Sequence, residues 1–431
     1  MGIRRFAPLL ALVLWVSFLS SWAFAGQKAY YHPNADRLFW FMIISDTHIG
    51  ADNKAIENTV VENLTWAVTQ AWQVISPQFI VNTGDLTDST NGGFIPNGPY
   101  QAEWDSYRHI LESTGMNAAN YYDMPGNHDE YNDGTLAYYR NNSIQGRATG
   151  RTQPSWSRQF SYGSYHFLGV CTPGNDGAPF SFDPFDNYGD HAGLDETELA
   201  FIQADLANHT DAQLTLLFGH HPFEAHYYID TDTGLTYGLS AFLSLINQYR
   251  ASVYTFGHTH NYRENFYNQN LTEGIYYMNV ASLGKSDQNQ YTVMAVDGNG
   301  LSLVPAQKGV WPVVMITAPV DRNLGTNANP YAYEIPKKPN NPIRALVFDP
   351  PPVSQVQFSV DGGAVWQDMQ RREGTPIWEG HWDATTASAG PHTIAVRAQG
   401  STLVTDSITT FINPTLPRAI VSPIIGLLLS D

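Results

Sequence analysis

The chain has 431 residues, of which 43% are hydrophobic and 14% are charged. That composition excludes a disordered chain and suits a globular protein of roughly two or three domains. The formal net charge of −18 argues against nucleic acids and anionic membrane surfaces as partners, because such a protein repels polyanions.

The N-terminal segment has the pattern of a secretory signal peptide. Arg4 and Arg5 begin it, residues 9–19 form an apolar centre, and Ala23-Phe24-Ala25 ends it with the small residues of a cleavage site. An uncleaved membrane anchor is the alternative, but the apolar centre is short for a span. We therefore expect cleavage after Ala25, secretion, and no stable membrane span in the mature chain. Losing Arg4 and Arg5 would change the net charge from −18 to −20.

The first part of the mature chain alternates strands with helices. The apolar run at residues 38–44 predicts a buried strand, helical spacing predicts a helix over residues 58–75, and residues 79–81 predict a second strand. Such a β-α-β unit has parallel strands, and open α/β sheets bind ligands at the carboxyl ends of their strands. A second helix is predicted over residues 103–113.

Mixed strands and helices continue to about residue 309. Residues 159–162 and 165–170 predict a hairpin that turns at Gly163-Ser164, and Asp195 with Glu198 predicts a capped helix. The Phe-rich loop at 174–193 and the segment at 223–238 are candidates to wall a substrate pocket. Other predicted elements are strands at 214–218, 253–256, 275–280 and 292–296 and a helix at 239–249.

From residue 310 the pattern changes to short strands without helical periodicity. Strands are predicted at 313–316, 344–348, 356–360, 394–398 and 408–411, separated by turn residues rich in Pro and Gly. They predict a small β-sandwich. The predicted organisation is a signal peptide at 1–25, an α/β domain at 26–309, an all-β sandwich at 310–413 and a C-terminal tail at 414–431.

Five short polar segments stand out, and most of them follow a predicted strand. They are Asp46-Thr47-His48, Gly84-Asp85-Leu86-Thr87-Asp88, Gly126-Asn127-His128-Asp129, Gly219-His220-His221-Pro222 and Gly257-His258-Thr259-His260. Two cations about 3.5–4 Å apart need a shared carboxylate and several neutral ligands, and these segments supply both. They therefore predict a two-metal site at the edge of a sheet.

The residue types suggest a division of the metal ligands between the two cations. One cation could be bound by Asp46, His48 and His260, the other by Asn127, His220 and His258, and both by a bridging Asp85. Mixed His, Asp and Asn ligation favours divalent or trivalent Zn, Mn or Fe ions over Ca, which prefers all-oxygen sites.

Such a pair of metals supplies the chemistry of phosphoester hydrolysis. A water between the two metals becomes a bridging hydroxide near neutral pH and can attack phosphorus in line. His128, next to the ligand Asn127, could protonate the leaving oxygen. We expect Asp129 to orient His128, as carboxylates beside ligands often do.

The five segments resemble the conserved blocks of the calcineurin-like metallophosphoesterase superfamily. Those blocks are D-x-H, G-D-x-x-D, G-N-H-D/E, H-x-P and G-H-x-H, and all five occur in this order between Asp46 and His260. The resemblance implies a four-layered α/β/β/α fold, a dinuclear metal centre and phosphoester hydrolysis. It implies the same ligands and makes His128 the catalytic histidine. The region after residue 310 more weakly resembles immunoglobulin-like or fibronectin-like modules.

Two of the blocks need a closer comparison with the superfamily. In the fourth block the ligand stands two residues before the proline, which selects His220 and leaves His221 as the alternative. Purple acid phosphatases carry a Tyr ligand where this chain has Asp88, so we do not expect an iron–tyrosinate centre.

The sequence thus predicts an exported metal-dependent phosphoesterase, with a phosphoester substrate as its partner. The motifs leave monoesters and diesters open, and diesters are slightly favoured because His128 can protonate a poor alkoxide leaving group. The alternative function is a non-catalytic exported binding or adhesion protein that keeps the metallophosphoesterase scaffold. That function predicts missing ligands, and none is missing.

Eight histidines outside the blocks are expected to have no role in the site: His32, His109, His166, His191, His209, His226, His381 and His392.

Overall fold

The computed structural model describes residues 35–51, 59–91, 97–173, 192–224, 234–285, 289–351, 353–362 and 365–416. The predicted signal peptide, most of the Phe-rich loop, much of the segment at 223–238 and most of the C-terminal tail lie outside the described residues. Among the described residues, no helix has both the length and the hydrophobicity needed to cross a bilayer.

The strands run in chain order as β1 (Leu38–Ile44), β2 (Ile80–Asn82), β3 (Tyr121–Asp123), β4 (Ser155–Phe160), β5 (Gly163–Gly169), β6 (Leu214–Phe218), β7 (Val253–Phe256), β8 (Arg263–Tyr267), β9 (Ile275–Asn279), β10 (Gln290–Asp297), β11 (Gly300–Gln307), β12 (Val313–Ala318), β13 (Asn323–Leu324), β14 (Asn327–Ala328), β15 (Ile335–Pro336), β16 (Asn341–Phe348), β17 (Gln355–Val360), β18 (Gln367–Asp368), β19 (Gln370–Arg371), β20 (Ile377–Trp382), β21 (Gly390–Gln399) and β22 (Leu403–Asn413).

The helices are α1 (Thr59–Trp66, continued by a π-helical turn at Ala67–Ala71 and by Trp72–Ile75), α2 (Gln101–Ser113), α3 (Asn127–Glu130), α4 (Ala137–Asn142), α5 (Ile144–Thr149), α6 (Glu196–Asn208) and α7 (Leu239–Tyr249).

Two sheets pack face to face in the first part of the chain. One has the strand order β11-β10-β1-β2-β3 and the other β4-β5-β6-β7-β9-β8. Aromatic side chains fill the space between them; for example, the ring centroids of Phe41 on β1 and Phe167 on β5 lie 5.8 Å apart. Helices α1 and α2 cover the outer face of the first sheet, and α6 and α7 cover that of the second. The predicted four-layered α/β/β/α fold is confirmed.

Parallel pairing at the centre of each sheet determines where the polar segments meet. Strand β2 pairs in parallel with both β1 and β3, and β6 and β7 pair in parallel in the second sheet. Parallel strands point their carboxyl ends to one edge, so the segments that follow β1, β2 and β3 lie side by side. The run that forms β1 is almost continuously apolar because helices cover one face and the second sheet covers the other.

Two predicted helices form as their sequence signals require. At the start of α6, Asp195 Oδ1 accepts a hydrogen bond of 2.7 Å from Glu198 N, and Glu198 Oε2 accepts one of 3.1 Å from Asp195 N. This reciprocal capping box satisfies amide groups that a helix start leaves unpaired. Helix α7 occupies the predicted residues 239–249.

The hairpin of β4 and β5 turns two residues earlier than predicted. Phe160 pairs with Gly163, so the turn consists of Ser161 and Tyr162, and Gly163 begins β5. A Cβ atom at Gly163 would collide with the side chain of Gln213. The glycine therefore permits a close approach by Gln213 and does not mark the turn.

After Gln307 the strands belong to two further sheets. Their orders are β12-β16-β20-β19 and β15-β22-β21-β17-β18, with β13 and β14 as a separate pair. Apolar side chains such as Phe358 and Trp378 pack between these sheets in one core. The C-terminal region is therefore all-β, while its likeness to immunoglobulin modules and the bounds of the predicted domains stay predictions.

A buried ion pair joins the two parts of the described chain. Arg344 on β16 donates to Asp297 on β10 through Nε at 2.7 Å and Nη2 at 2.9 Å. Both side chains are 1% exposed, and Thr317 Oγ1 donates a third hydrogen bond, of 3.0 Å, to Asp297. The two hydrogen bonds from Arg344 and the third from Thr317 offset the free-energy cost of removing the Asp297 carboxylate from water.

Candidate metal centre

All seven predicted ligands converge on one region at the sheet edges. The loops that carry them are tied together by backbone hydrogen bonds, including Asp46 N to Gly84 O and His48 N to Asp85 O, both 2.9 Å. Five of the seven adopt the left-handed backbone conformation, with φ between 44° and 66°: Asp46, His48, Asp85, His258 and His260. Such strain in residues other than glycine concentrates at functional sites.

The first group of ligands gathers Asp46, His48, Asp85 and His260. The Nε2 atoms of His48 and His260 lie 3.4 Å apart, and His260 Nε2 lies 3.3 Å from Asp46 Oδ1. His48 Nε2 lies 3.5 Å from Asp85 Oδ2. These are the side chains expected to bind one cation.

The second group gathers Asn127, His220 and His258. Asn127 Oδ1 lies 3.0 Å from His220 Nε2 and 3.1 Å from His258 Nδ1. The two imidazole nitrogens are 3.3 Å apart. These are the side chains expected to bind the other cation.

Asp85 stands between the two groups. Its Oδ2 faces His48 of the first group at 3.5 Å, and its Oδ1 faces His220 of the second at 3.3 Å. The backbone N–H of His128 donates a 2.9 Å hydrogen bond to the same Oδ1. A carboxylate with one oxygen toward each group has the placement that a bridging ligand requires.

The residues fit a pair of cations. Both oxygens of the buried Asp46 carboxylate lack a hydrogen-bond donor among the described residues. Ligand atoms about 2.0–2.1 Å from one ion lie about 2.8–3.4 Å apart at octahedral or tetrahedral angles. The spacings in both groups fall close to that range. Buried polar atoms are normally paired, so such convergence is expected only where ions complete the set.

Polar contacts behind the imidazoles fix which nitrogen faces each group. His48 Nδ1 lies 2.9 Å from Asp88 Oδ1, and His220 Nδ1 donates a 3.0 Å hydrogen bond to the carbonyl of Thr83. Both rings therefore present Nε2 to the ligand groups. Partners of this kind hold metal ligands in position and raise their basicity.

Without metals, the charges within the groups shift several pKa values. Burial alone would lower the pKa of His220, but the nearby Asp85 and Asp46 carboxylates raise it to about 9. Burial would raise the pKa of Asp46, whereas the positive charge of the nearby His260 holds it well below its usual value. The metal-free centre thus favours protonated His220 and His260 beside ionised carboxylates, whereas burial lowers the pKa of His48 to about 4.

His128 is held by the segment around Asp88. Its Nδ1 donates a 2.7 Å hydrogen bond to the carbonyl oxygen of Asp88 and lies 3.8 Å from the Asp88 carboxylate. Burial lowers the pKa of His128. Since Nδ1 is engaged, Nε2 is the atom at which His128 gains and loses a proton.

The expectation that Asp129 orients His128 is wrong. Asp129 accepts hydrogen bonds from the backbone N–H groups of Leu86, Thr87 and Gly126 at 2.9–3.0 Å. The Thr87 hydroxyl donates a fourth, at 3.1 Å. Because Asp129 is the third residue of α3, its carboxylate reaches back to the amide at the helix start. It also binds two backbone amides of the loop that follows Asp85. It supports the site by joining two loops, and Asp88 is the residue that contacts His128.

His220 faces Asp85 and Asn127. His221 belongs with His220 and His258 to one group of potential metal ligands, so the choice of His220 stays a prediction. His221 Nδ1 lies 2.9 Å from Thr172 Oγ1, which also accepts hydrogen bonds from the backbone N–H groups of His220 and His221. The His221 ring remains close to that of His258, at 4.6 Å between centroids.

Sequence reasoning missed two residues that contact the site. Asp88 was visible as the last residue of the second block, but its role as the partner of His48 was not predicted. Lys285 places its ammonium 3.0 Å from Asp88 Oδ1, and no motif indicates it.

A second cluster of histidines lies outside the predicted site. His166 Nε2 lies 2.6 Å from Asp205 Oδ2, and its ring stacks on that of His209 with centroids 3.7 Å apart and an 8° angle between planes. Because His166 lies on β5 and Asp205 on α6, these contacts join that strand to that helix.

Comparison with known proteins identifies the family. The family model for calcineurin-like phosphoesterases matches residues 39–262, about half of the chain. The chain belongs to the calcineurin-like phosphoesterase family. Membership in this metal-dependent family implies divalent metal ions, and the groups described above are the candidates to hold them.

Similar proteins include a curated mouse protein and a solved zebrafish structure. "Transmembrane protein 62" of Mus musculus is 26% identical over 384 residues, which cover 86% of this calcineurin-like phosphoesterase and 55% of the mouse protein. The chain thus spans about half the length of that relative. A dimetal phosphatase from Danio rerio is 14% identical in sequence, with a TM-score of 0.49, and the match covers 63% of this chain and 97% of that one.

Proposed function

We propose that this protein is an exported, metal-dependent phosphoesterase that hydrolyses phosphomonoesters or phosphodiesters. The observation that carries the proposal is the position of Asp85, which faces His48 on one side and His220 on the other. A buried carboxylate that contacts two separate groups of ligand atoms has the placement that a bridge between two metals requires.

The ligand groups supply sites for two transition metals. We assign Asp46, His48 and His260 to one ion and Asn127, His220 and His258 to the other, with Mn, Fe or Zn favoured by the mixture of nitrogen and oxygen donors. When bound, such ions lower the pKa of a water nucleophile and neutralise the phosphoryl oxygens.

His128 supplies the proton for the leaving oxygen. Its Nδ1 is engaged by the carbonyl of Asp88, so the proton that it donates is carried on Nε2. The side chain of His128 is 13% exposed, whereas those of His48 and Asp85 are sealed at 0% and 2%. His128 is therefore more accessible to a group that arrives from solvent than His48 and Asp85 are.

Export and the absence of nucleic-acid partners rest on the sequence. Residues 1–25 carry the signal-peptide pattern, and the net charge of −18 disfavours polyanionic partners. Detection of the full-length protein and its processed form in cell and secreted fractions tests export. A protein that keeps residues 1–25 and stays inside the cell would contradict it.

Chelation and reconstitution test the proposed activity. The purified protein is stripped with a chelator, reloaded separately with Mn, Fe or Zn, and assayed on p-nitrophenyl phosphate and bis(p-nitrophenyl) phosphate. We expect no hydrolysis by the stripped protein and recovery with at least one metal. A protein that binds two metals yet hydrolyses neither ester would instead support the non-catalytic binding protein.

A further inference from the structure

We propose that Lys285 recognises the second negative charge of a phosphomonoester and gives this site a preference for monoesters over diesters. The inference rests on the proposed function and deepens it by naming the substrate class. It replaces the slight preference for diesters that follows from the motifs alone.

Lys285 lies next to residues that support the metal ligands and the proton donor. Its Nζ lies 3.0 Å from Asp88 Oδ1. The same oxygen is 2.9 Å from His48 Nδ1 and 3.8 Å from His128 Nδ1. The ammonium is therefore separated from the predicted ligand His48 and from His128 by a single carboxylate oxygen.

The backbone that carries Lys285 is tied to the ligand Asp46. Gly284 N donates a 3.0 Å hydrogen bond to Asp46 O, and Ser282 Oγ donates one of 3.1 Å to the same oxygen. Lys285 N in turn donates a 2.9 Å hydrogen bond to Ser282 Oγ. These bonds keep the start of the Lys285 side chain at a constant position relative to the centre.

Lys285 is one of the side chains near the centre that reach solvent. His48 and Asp46 are sealed, whereas His260 is 31% exposed and Lys285 is 40% exposed. In the proposed binding mode, a phosphoryl group that reaches the ligands from solvent contacts the side chains of His128, His260 and Lys285. The flexible stem of a lysine allows the ammonium to contact such a group while Asp88 keeps its contact with His48.

Charge decides which ester gains more from this contact. A phosphomonoester carries two negative charges near neutral pH and offers three terminal oxygens. A diester carries one charge, and a second ester group replaces one of those oxygens. Because a charge-assisted hydrogen bond strengthens with the charge on its acceptor, Lys285 stabilises the bound monoester more than the diester.

The test compares Lys285→Met, Lys285→Arg and the control Lys337→Met. The control removes one positive charge from the C-terminal all-β region. For Lys285→Met, we expect kcat/KM on p-nitrophenyl phosphate to fall about tenfold or more, the scale of a lost charge-assisted hydrogen bond, with a change below about threefold on bis(p-nitrophenyl) phosphate. Inorganic phosphate should bind correspondingly more weakly by calorimetry. Lys285→Arg should restore most of both losses, and Lys337→Met should match the parent.

The control measurements separate this inference from the proposed function. Equal losses on both esters, together with a reduced metal content, would show that Lys285 only holds Asp88, and would overturn the proposal. Unchanged kinetics and phosphate affinity in Lys285→Met would overturn it as well. If the parent hydrolysed neither ester, the proposed function would fail, and the phosphate affinity of the metal-loaded variants would still decide the role of Lys285.

Discussion

The carboxylate of Asp88 lies behind His48, with Oδ1 2.9 Å from the imidazole Nδ1. This places Asp88 on the side of the ring away from the other ligands, so it supports His48 and does not itself join the first group. In the purple acid phosphatases, the corresponding position holds a ligand. Here it holds a residue that orients a ligand.

Asp88→Asn should weaken metal binding without unfolding the protein. The amide keeps the shape of the side chain but loses the charge that attracts His48, and loss of such a supporting partner typically costs about 10–100-fold in metal affinity or activity. Calorimetric metal titration of the stripped variant measures the effect. The matched control is Asp368→Asn, an exposed change in the C-terminal region; equal affinities in the two variants would contradict the role of Asp88.

Asp129→Ala should destabilise the fold because it leaves the buried backbone N–H groups of Leu86, Thr87 and Gly126 without an acceptor. Each unsatisfied buried donor costs about 1–3 kcal/mol, so we expect a loss of roughly 3 kcal/mol or more in the free energy of unfolding. Denaturant unfolding measures it. A variant as stable as the parent that had lost only the activity of His128 would restore the role first predicted for Asp129.

The metal-free protein should lose stability as pH rises from neutral to alkaline. Asp85 and Asp46 raise the pKa of His220 from its ordinary 6.5 to about 9. A group with a raised pKa contributes stability that is complete below its unfolded pKa and is lost as pH rises through its folded pKa. Thermal denaturation of the stripped protein between pH 6 and 10 tests this. The His220→Gln variant should flatten the profile, and an unchanged profile would contradict the assignment.

Arg344→Met should destabilise both parts of the described chain together. It removes the two hydrogen bonds to Asp297 and leaves a buried carboxylate without its counter-ion, which costs about 3–5 kcal/mol. Denaturant unfolding should show a lower midpoint than in the control Arg371→Met, whose side chain is exposed. Equal midpoints would show that the ion pair does not contribute to stability.

Local sequence patterns predicted an element correctly where its surroundings in the fold favour the same conformation. The run at Leu38–Ile44 is apolar throughout and forms the buried strand that it predicts. Asp195 and Glu198 cap each other within four residues, and no distant contact is needed. Gly163 gave a false turn signal because a glycine is needed there to make room for the side chain of Gln213. Gln213 lies fifty residues away in sequence, so no local pattern reveals this contact.

In the candidate site, too, residues in local motifs could be predicted and residues placed by tertiary contacts could not. The seven ligands could be predicted because each lies in a short block whose spacing is local. The partners of these blocks depend on how the loops fold together: Asp129 turns back to the helix start, and Asp88 turns toward His48. Lys285 reaches the site from a segment more than twenty residues after His260, and it carries no pattern of its own.

The metal content of the purified protein and of Asp85→Ala tests the central claim most directly, with Asp368→Ala as the control. Elemental analysis of the parent and the control should find about two transition-metal ions per chain, as expected for a centre with a bridging carboxylate. Asp85→Ala should hold fewer than one and should lose hydrolysis of both p-nitrophenyl esters. If Asp85→Ala retained the metal content and the activity of the parent, Asp85 would not bridge a metal pair, and the account of this centre would be wrong.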